Sequence, residues 1–199
     1  MPAALRNALA TIGGDLRDGA VVPAVAAGTC GAAASLWIEP GPGGLLAAGL
    51  AAVAVAIAAI DARRFVIPDA LSATGLVLGL LYVWTTDPWP VDALTAALLR
   101  GAALALVFLL LRIGYRRLRG RDGLGLGDVK LAAMAGVWLD VPAIPVAVEI
   151  AALAGLAAYG VRQLRSGGPM RATARLPFGL FFAPAIWIAW IVQRWLFEG

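Results

Sequence analysis

The sequence predicts an all-α protein, a polytopic transmembrane bundle of about seven helices with its N-terminus in the cytoplasm. Composition, hydropathy and run length carry that expectation. Apolar residues make up 61% of the 199 and charged residues only 14%, against roughly 45–50% and about 25% in an ordinary soluble domain. Mean hydropathy is +0.86. The apolar residues gather in runs close to the ~20 residues with which an α-helix crosses a bilayer. A soluble domain is excluded, and disorder is excluded because apolar surface is plentiful.

The elements follow in order. Residues 1–20 hold Arg6, Asp15, Arg17 and Asp18 and form an N-terminal cytoplasmic or interfacial segment. Residues 21–199 form a single transmembrane domain. Val21–Ile38 carries no charge and reads as the first span rather than a signal peptide, whose charged n-region would be unusually long here. Glu39–Gly44 is a tight Pro/Gly loop, and Leu45–Ile60 is the second span. Asp61–Asp69 is a short polar connection, Ala70–Thr86 the third span, and Asp87–Pro90 a turn. Asp92–Leu111 is the fourth span, with Arg100 inside it, and Arg112–Asp122 is a basic loop. Gly123–Asp128 introduces a short apolar stretch, Val129–Leu139. Those 11 or so residues rise about 17 Å, short of a ~30 Å hydrocarbon core. The stretch therefore starts within residues 124–128 or is a partial helix shielded by protein. Ala143–Val161 is the next span, with Glu149 inside it; Arg162–Arg175 is a basic loop; Leu176–Phe197 is the last span. No internal repeat is visible, and Ala/Gly enrichment suits close helix contacts in lipid.

Charge gives the orientation. Thirteen of the 16 basic residues fall in the N-terminal segment and in the connections at 61–69, 112–122 and 162–175. The intervening loops hold Glu39, Asp87, Asp92 and Asp140, with no Lys or Arg. The basic side is cytoplasmic by the positive-inside rule, provided 129–139 counts as a crossing. This accounts for the net charge of +4 without nucleic acid. Trp37, Trp84, Trp89, Trp138 and Trp195 fall near the inferred outer ends as interfacial residues, not as a base-stacking platform on a basic face. Arg100 and Glu149 lie at similar depth and are expected to pair, because an isolated charge there is costly.

One cysteine, Cys30, and no histidine are present. An intrachain disulfide, a Cys/His metal site and a His triad are excluded, and Cys30 is expected to be a small buried residue. Acid–base chemistry falls to Asp, Glu, Lys or Tyr; Tyr82, Tyr115 and Tyr159 read as anchors or packing. Carboxylates inside or at the edge of a membrane are costly and point to function. Asp61 closes the second span and Asp128 opens the short stretch, both at cytoplasmic ends by the topology above. Either alone reads equally as a helix-end residue facing headgroups. Gly125 and Gly127 before Asp128 allow unusual backbone angles and close approaches, and a helix N-terminus favours a carboxylate. Pro68 suits a helix start, and Asp69 reads as its N-cap. Lys130 either stabilises nearby negative charge or snorkels to the interface, the latter being favoured.

At these residues the chain resembles a known family. Asp61-Ala62-Arg63-Arg64-Phe65-Val66-Ile67-Pro68-Asp69 resembles the first signature of the type IV prepilin peptidases, which are GxGD intramembrane aspartyl proteases. Gly125-Leu126-Gly127-Asp128-Val129-Lys130-Leu131 resembles the second. Leu176-Pro177-Phe178-Gly179 resembles a Pro-Phe-Gly segment near the C-terminus. The three stand in family order over residues 61–179. The resemblance implies Asp61 and Asp128 as the catalytic pair, sharing one proton over an attacking water. It implies Gly125, Gly127, Lys130, Pro68, Asp69, Pro177, Phe178 and Gly179 as supporting or substrate-binding positions. It implies a prepilin or pseudopilin substrate with a short basic leader before an apolar helix, cut at the cytoplasmic face of the cell membrane, with no cofactor or metal. The family usually has Asn where this chain has Asp69. Its bifunctional members carry a cytoplasmic insert with paired cysteines and N-methyltransferase activity; this chain resembles the short, peptidase-only form. The competing readings are a small proton-coupled transporter, whose relay carboxylates belong near the midplane at a repeat interface, and a non-enzymatic scaffold of a pilus or secretion machine.

Overall fold

The computed structural model describes residues 21–120, 123–166 and 177–196. Residues 1–20, and with them the N-terminal segment, lie outside the described residues. Seven α-helices and no strand occur among those described: α1 Val21–Ile38, α2 Pro42–Arg64, α3 Asp69–Thr86, α4 Pro90–Arg119, α5 Leu126–Trp138, α6 Ala143–Ser166 and α7 Phe178–Leu196. Five of them (α2, α3, α4, α6 and α7) are long and apolar enough to cross a membrane, and the apolar part of α1 is slightly shorter. The chain is a multi-pass helical membrane protein.

Helix ends follow local chemistry. Pro42 and Pro90 sit in the first turns of α2 and α4, where a missing N–H costs nothing. The expected basic loop at 112–122 is instead helical as far as Arg119, since Leu and Arg are good helix formers and Gly114 alone, with no Pro, does not break the run. Gly120, at φ 65°, then ends α4 in the left-handed conformation. α2 likewise runs past Ile60 to Arg64, which puts Asp61 inside the helix, one turn from its end.

The short α5 is the shielded partial helix. Its 13 residues rise about 20 Å. It packs on α3, α4 and α7, and Leu131, Ala132, Met134, Ala135, Val137 and Trp138 are all buried. Small residues set the approach: a Cβ on Gly136 would lie 2.7 Å from the Arg100 carbonyl oxygen, so α4 and α5 cross backbone to backbone. α2 is the other centre, packing on α1, α3 and α7, while α6 packs on α7. Leu50, Ile57, Phe182, Ile186 and Trp190 fill the space between.

Several expectations are corrected here. Arg100 pairs with Asp140 (3.2 Å), not with Glu149, and its Nε donates to the Gly136 carbonyl. Glu149 is exposed on α6, a helix that shares no more than marginal contact with α4, so equal depth did not mean a shared face. Trp138 is buried, donating its indole N–H to the Gly75 carbonyl (2.8 Å), whereas Trp37, Trp84, Trp89 and Trp195 are exposed. Cys30 is exposed on α1 rather than buried.

The packing generates a paired test. Gly136→Ala should cost about 1–3 kcal/mol, because backbone cannot yield to the new methyl. Gly28→Ala, with no atom within 4 Å of the new Cβ, should be neutral or stabilise by about 0.5–1 kcal/mol. Thermal unfolding of the purified protein in detergent, followed by helical circular dichroism, reads both; equal effects would refute the backbone crossing.

Candidate active site

Among the described residues, Asp61 and Asp128 are the only buried charged side chains. They come from α2 and α5, far apart in the chain, and meet at the bundle end where α2 finishes and α3, α5 and α7 begin. The Asp61 carboxylate interacts electrostatically with Asp128, as does Arg112 of α4.

Each carboxylate is held by backbone at the start of a helix. Asp61 Oδ2 accepts the Leu180 N–H (3.0 Å), and the Gly179 N–H also bonds this carboxylate. These are first-turn donors of α7 that have no partner within the helix. Asp128 lies in the first turn of α5, and its Oδ2 accepts the Gly125 N–H (2.8 Å). A helix N-terminus carries partial positive charge, so both acids sit where an anion is favoured. The Pro-Phe-Gly segment thus serves Asp61: Pro177 immediately precedes α7, Phe178 opens it, and Gly179 follows.

The glycines act through space rather than through unusual backbone angles. Gly125 is at φ −76°, and neither Gly127 nor Gly179 has positive φ. A Cβ on Gly127 would lie 2.9 Å from Ile67 Cβ, and one on Gly179 would lie 2.8 Å from Ile67 Cδ1 and 2.9 Å from Asp61 Oδ2. Ile67 is therefore a buried wedge between the two glycine segments. What delivers it is Phe65, which ends α2 in the left-handed region at φ 54°, its N–H donating to the Asp61 carbonyl. A bulky residue there costs of order 1–3 kcal/mol.

Two supporting residues behave otherwise than expected. Asp69 makes no cap hydrogen bond; Pro68 is the N-cap of α3 and Asp69 its first residue. Asp69 instead forms an ion pair with Lys130, so Lys130 does not simply snorkel. The pair is partly exposed and joins the starts of α3 and α5. Sequence reasoning missed Ile67, Leu180 and Arg112. Arg112, assigned to a loop, lies in α4, bonds the Leu124 carbonyl and faces Asp128. A space-demanding Ile among close-approach glycines was the signal present for Ile67. Among the described residues no three carboxylates or thiols gather closely enough to hold a metal ion.

Comparison with known proteins agrees with these segments. Residues 48–160 match the type IV leader peptidase family. The chain is 38% identical over 160 residues to a prepilin leader peptidase/N-methyltransferase of Burkholderia pseudomallei, covering 80% of this chain and 50% of that protein. It is 33% identical over 167 residues to one of Aeromonas salmonicida (81% and 55%) and 40% identical over 126 residues to one of Dickeya chrysanthemi (62% and 42%). The chain spans about half the length of the curated relatives it matches. No solved structure matches it at a significant level. With more than half of the sequence in the family match and the matched region holding both carboxylates, the chain belongs to the type IV leader peptidase family.

Proposed function

We propose that the chain is an intramembrane aspartyl endopeptidase. In this reading it removes the short basic leader of prepilin-like or pseudopilin substrates at the cytoplasmic face of the cell membrane, through Asp61 and Asp128. The observation that carries the reading is the convergence of the two buried carboxylates at one bundle end, each anchored by a backbone N–H. The relatives are prepilin leader peptidases by name. The same bundle end carries Arg63, Arg64, Arg112, Arg116, Arg117, Arg119, Arg162 and Arg165, while the other carries Glu39, Asp87, Asp92 and Asp140 with only Arg100 and Arg194; the positive-inside rule supports a cytoplasmic first end. Residues 21–199 act in this reading as one peptidase domain, and it extends to no methyl transfer.

The chemistry follows from the pair. Two like charges held close cannot both ionise cheaply, so the pair holds one proton and its titrations separate. The ionised partner takes a proton from a water, whose oxygen adds to the scissile carbonyl carbon. The protonated partner gives its proton to the carbonyl oxygen. Collapse breaks the C–N bond: the leaving nitrogen receives the proton taken from water, and the other carboxylate recovers its own from the tetrahedral intermediate. Backbone N–H groups bond Oδ2 of each carboxylate.

Three outcomes test this. Asp61→Asn and Asp128→Asn should each lower cleavage at least about 10²-fold, in line with loss of a positioned acid or base. Co-expression with a type IV prepilin, detection of leader removal and confirmed protein levels measure it; full activity in either variant ends the reading. The pH profile of kcat/KM should be bell-shaped, because activity needs one proton on the pair: it is lost at low pH as both become protonated and at high pH as both ionise. Gly179→Ala should slow cleavage by on the order of tenfold or more, since the added methyl displaces Asp61 and ångström-scale misplacement is costly. Unchanged kinetics in a folded Gly179→Ala protein would remove the α7 start from the site.

A further inference from the structure

α4 packs on α3 and α5, and α6 packs on α7; between α4 and α6 there is no more than marginal contact. The gap at the aspartate end is an apolar groove of about 840 Å³. It is lined by Val107, Leu111, Gly114 and Leu118 of α4, Val148 of α6 and Phe178 of α7. Phe178 packs on Phe108 and Phe182, which closes the groove on the side of the core. Two turns of an α-helix 10 Å wide enclose about 850 Å³, so the groove is of a size to take part of one helix.

The groove joins the carboxylate site at two points. Leu124 lines it, and the next residue, Gly125, donates to Asp128. Phe178 lines it, and the next two residues donate to Asp61. Its level is equally telling. About 20 residues after Asp92 cross the ~30 Å core and end near Arg112. Gly114 and Leu118 lie beyond that point, yet Leu118 is 86% exposed. Gly114 has no atom within 4 Å of a built Cβ. Among the described residues no packing calls for a helix-weakening glycine there, whereas close approach by another helix would.

We propose that this groove is the lateral docking site for the apolar helix of a membrane-inserted substrate, seating the peptide bond just before that helix beside Asp61 and Asp128. The proposal rests on the endopeptidase reading and adds to it where the substrate lies and from which side it arrives. It also gives Phe178 a task, as the wall shared by groove and carboxylate site.

The test uses the full chain in membranes with a type IV prepilin as probe. A photoreactive benzophenone amino acid replaces Leu111, Leu118 or, as a control, the exposed Val77 of α3, in an Asp128→Asn background that retains uncleaved prepilin. Prepilin adducts are expected at 111 and 118 and not at 77. Adducts to lipid alone at the groove positions, or equal prepilin adducts at 77, overturn the proposal. In the otherwise native chain, Gly114→Trp should raise KM roughly tenfold or more with kcat kept, the pattern of lost ground-state binding, while Val77→Trp should change neither. Unaltered KM in a folded Gly114→Trp protein also overturns it. Failure of the native chain to cleave prepilin would count against the peptidase reading instead, and cross-linking reads the groove independently of cleavage.

Discussion

Two carboxylates buried in an apolar bundle must find hydrogen-bond donors, and the rest of this structure is arranged around that need. A charge out of water is costly unless it is bonded or paired. No basic side chain is within salt-bridge distance of Asp61 or Asp128 among the described contacts. Donors come instead from the starts of α5 and α7, whose first N–H groups lack partners of their own. That solution requires two helices to begin inside the protein at the level of the acids. A short α5, starting at Leu126 and wrapped by α3, α4 and α7, provides one beginning; α7, starting at Phe178, provides the other.

Bringing the two beginnings together then sets the space available. Gly127 and Gly179 leave only enough room for Ile67, and Ile67 reaches that room because Phe65 reverses the chain within one residue of the end of α2. The three motif segments are thus one contact: the first supplies Asp61 and the wedge, the second Asp128 and one glycine wall, the third the other wall and the donors to Asp61. A set of residues separated by more than a hundred positions behaves as a single packing unit, which is why each motif alone looks weak in a Gly-rich chain.

This division explains what could be read from the chain alone. Helix number and most helix limits were legible, because apolar run length and Pro/Gly punctuation are local. The two aspartates were legible as charges at matching ends of helices. Azimuth was not. Arg100 and Glu149 share a depth, but the partner of Arg100 is Asp140, reached across the α4–α5 crossing. Trp138 sits at a span end yet points into the core, because Gly79 opens the space it fills and the Gly75 carbonyl accepts its indole N–H. Lys130 finds Asp69 across 61 residues, and no periodicity in either helix announces that pairing. The left-handed turn at Phe65 was equally hidden, since an aromatic residue gives no local signal for it.

The polar contacts are distributed unequally between the two ends, and this bears on how the groove can exist. At the end away from Asp61 and Asp128, Glu39 accepts from Tyr82 and pairs with Arg194. Asp140 there pairs with Arg100 and exchanges hydrogen bonds with Gln193. These contacts tie the α1–α2 loop, α3, α4, the α5–α6 turn and α7 into one network. At the aspartate end, α4 and α6 carry basic last turns and share no more than marginal backbone contact. Helices joined firmly at one end can diverge at the other without loss of the core. The bundle thus combines a polar network at the far end, which holds α5 and α7 in register for the two carboxylates, with an apolar groove that opens beside them at the other.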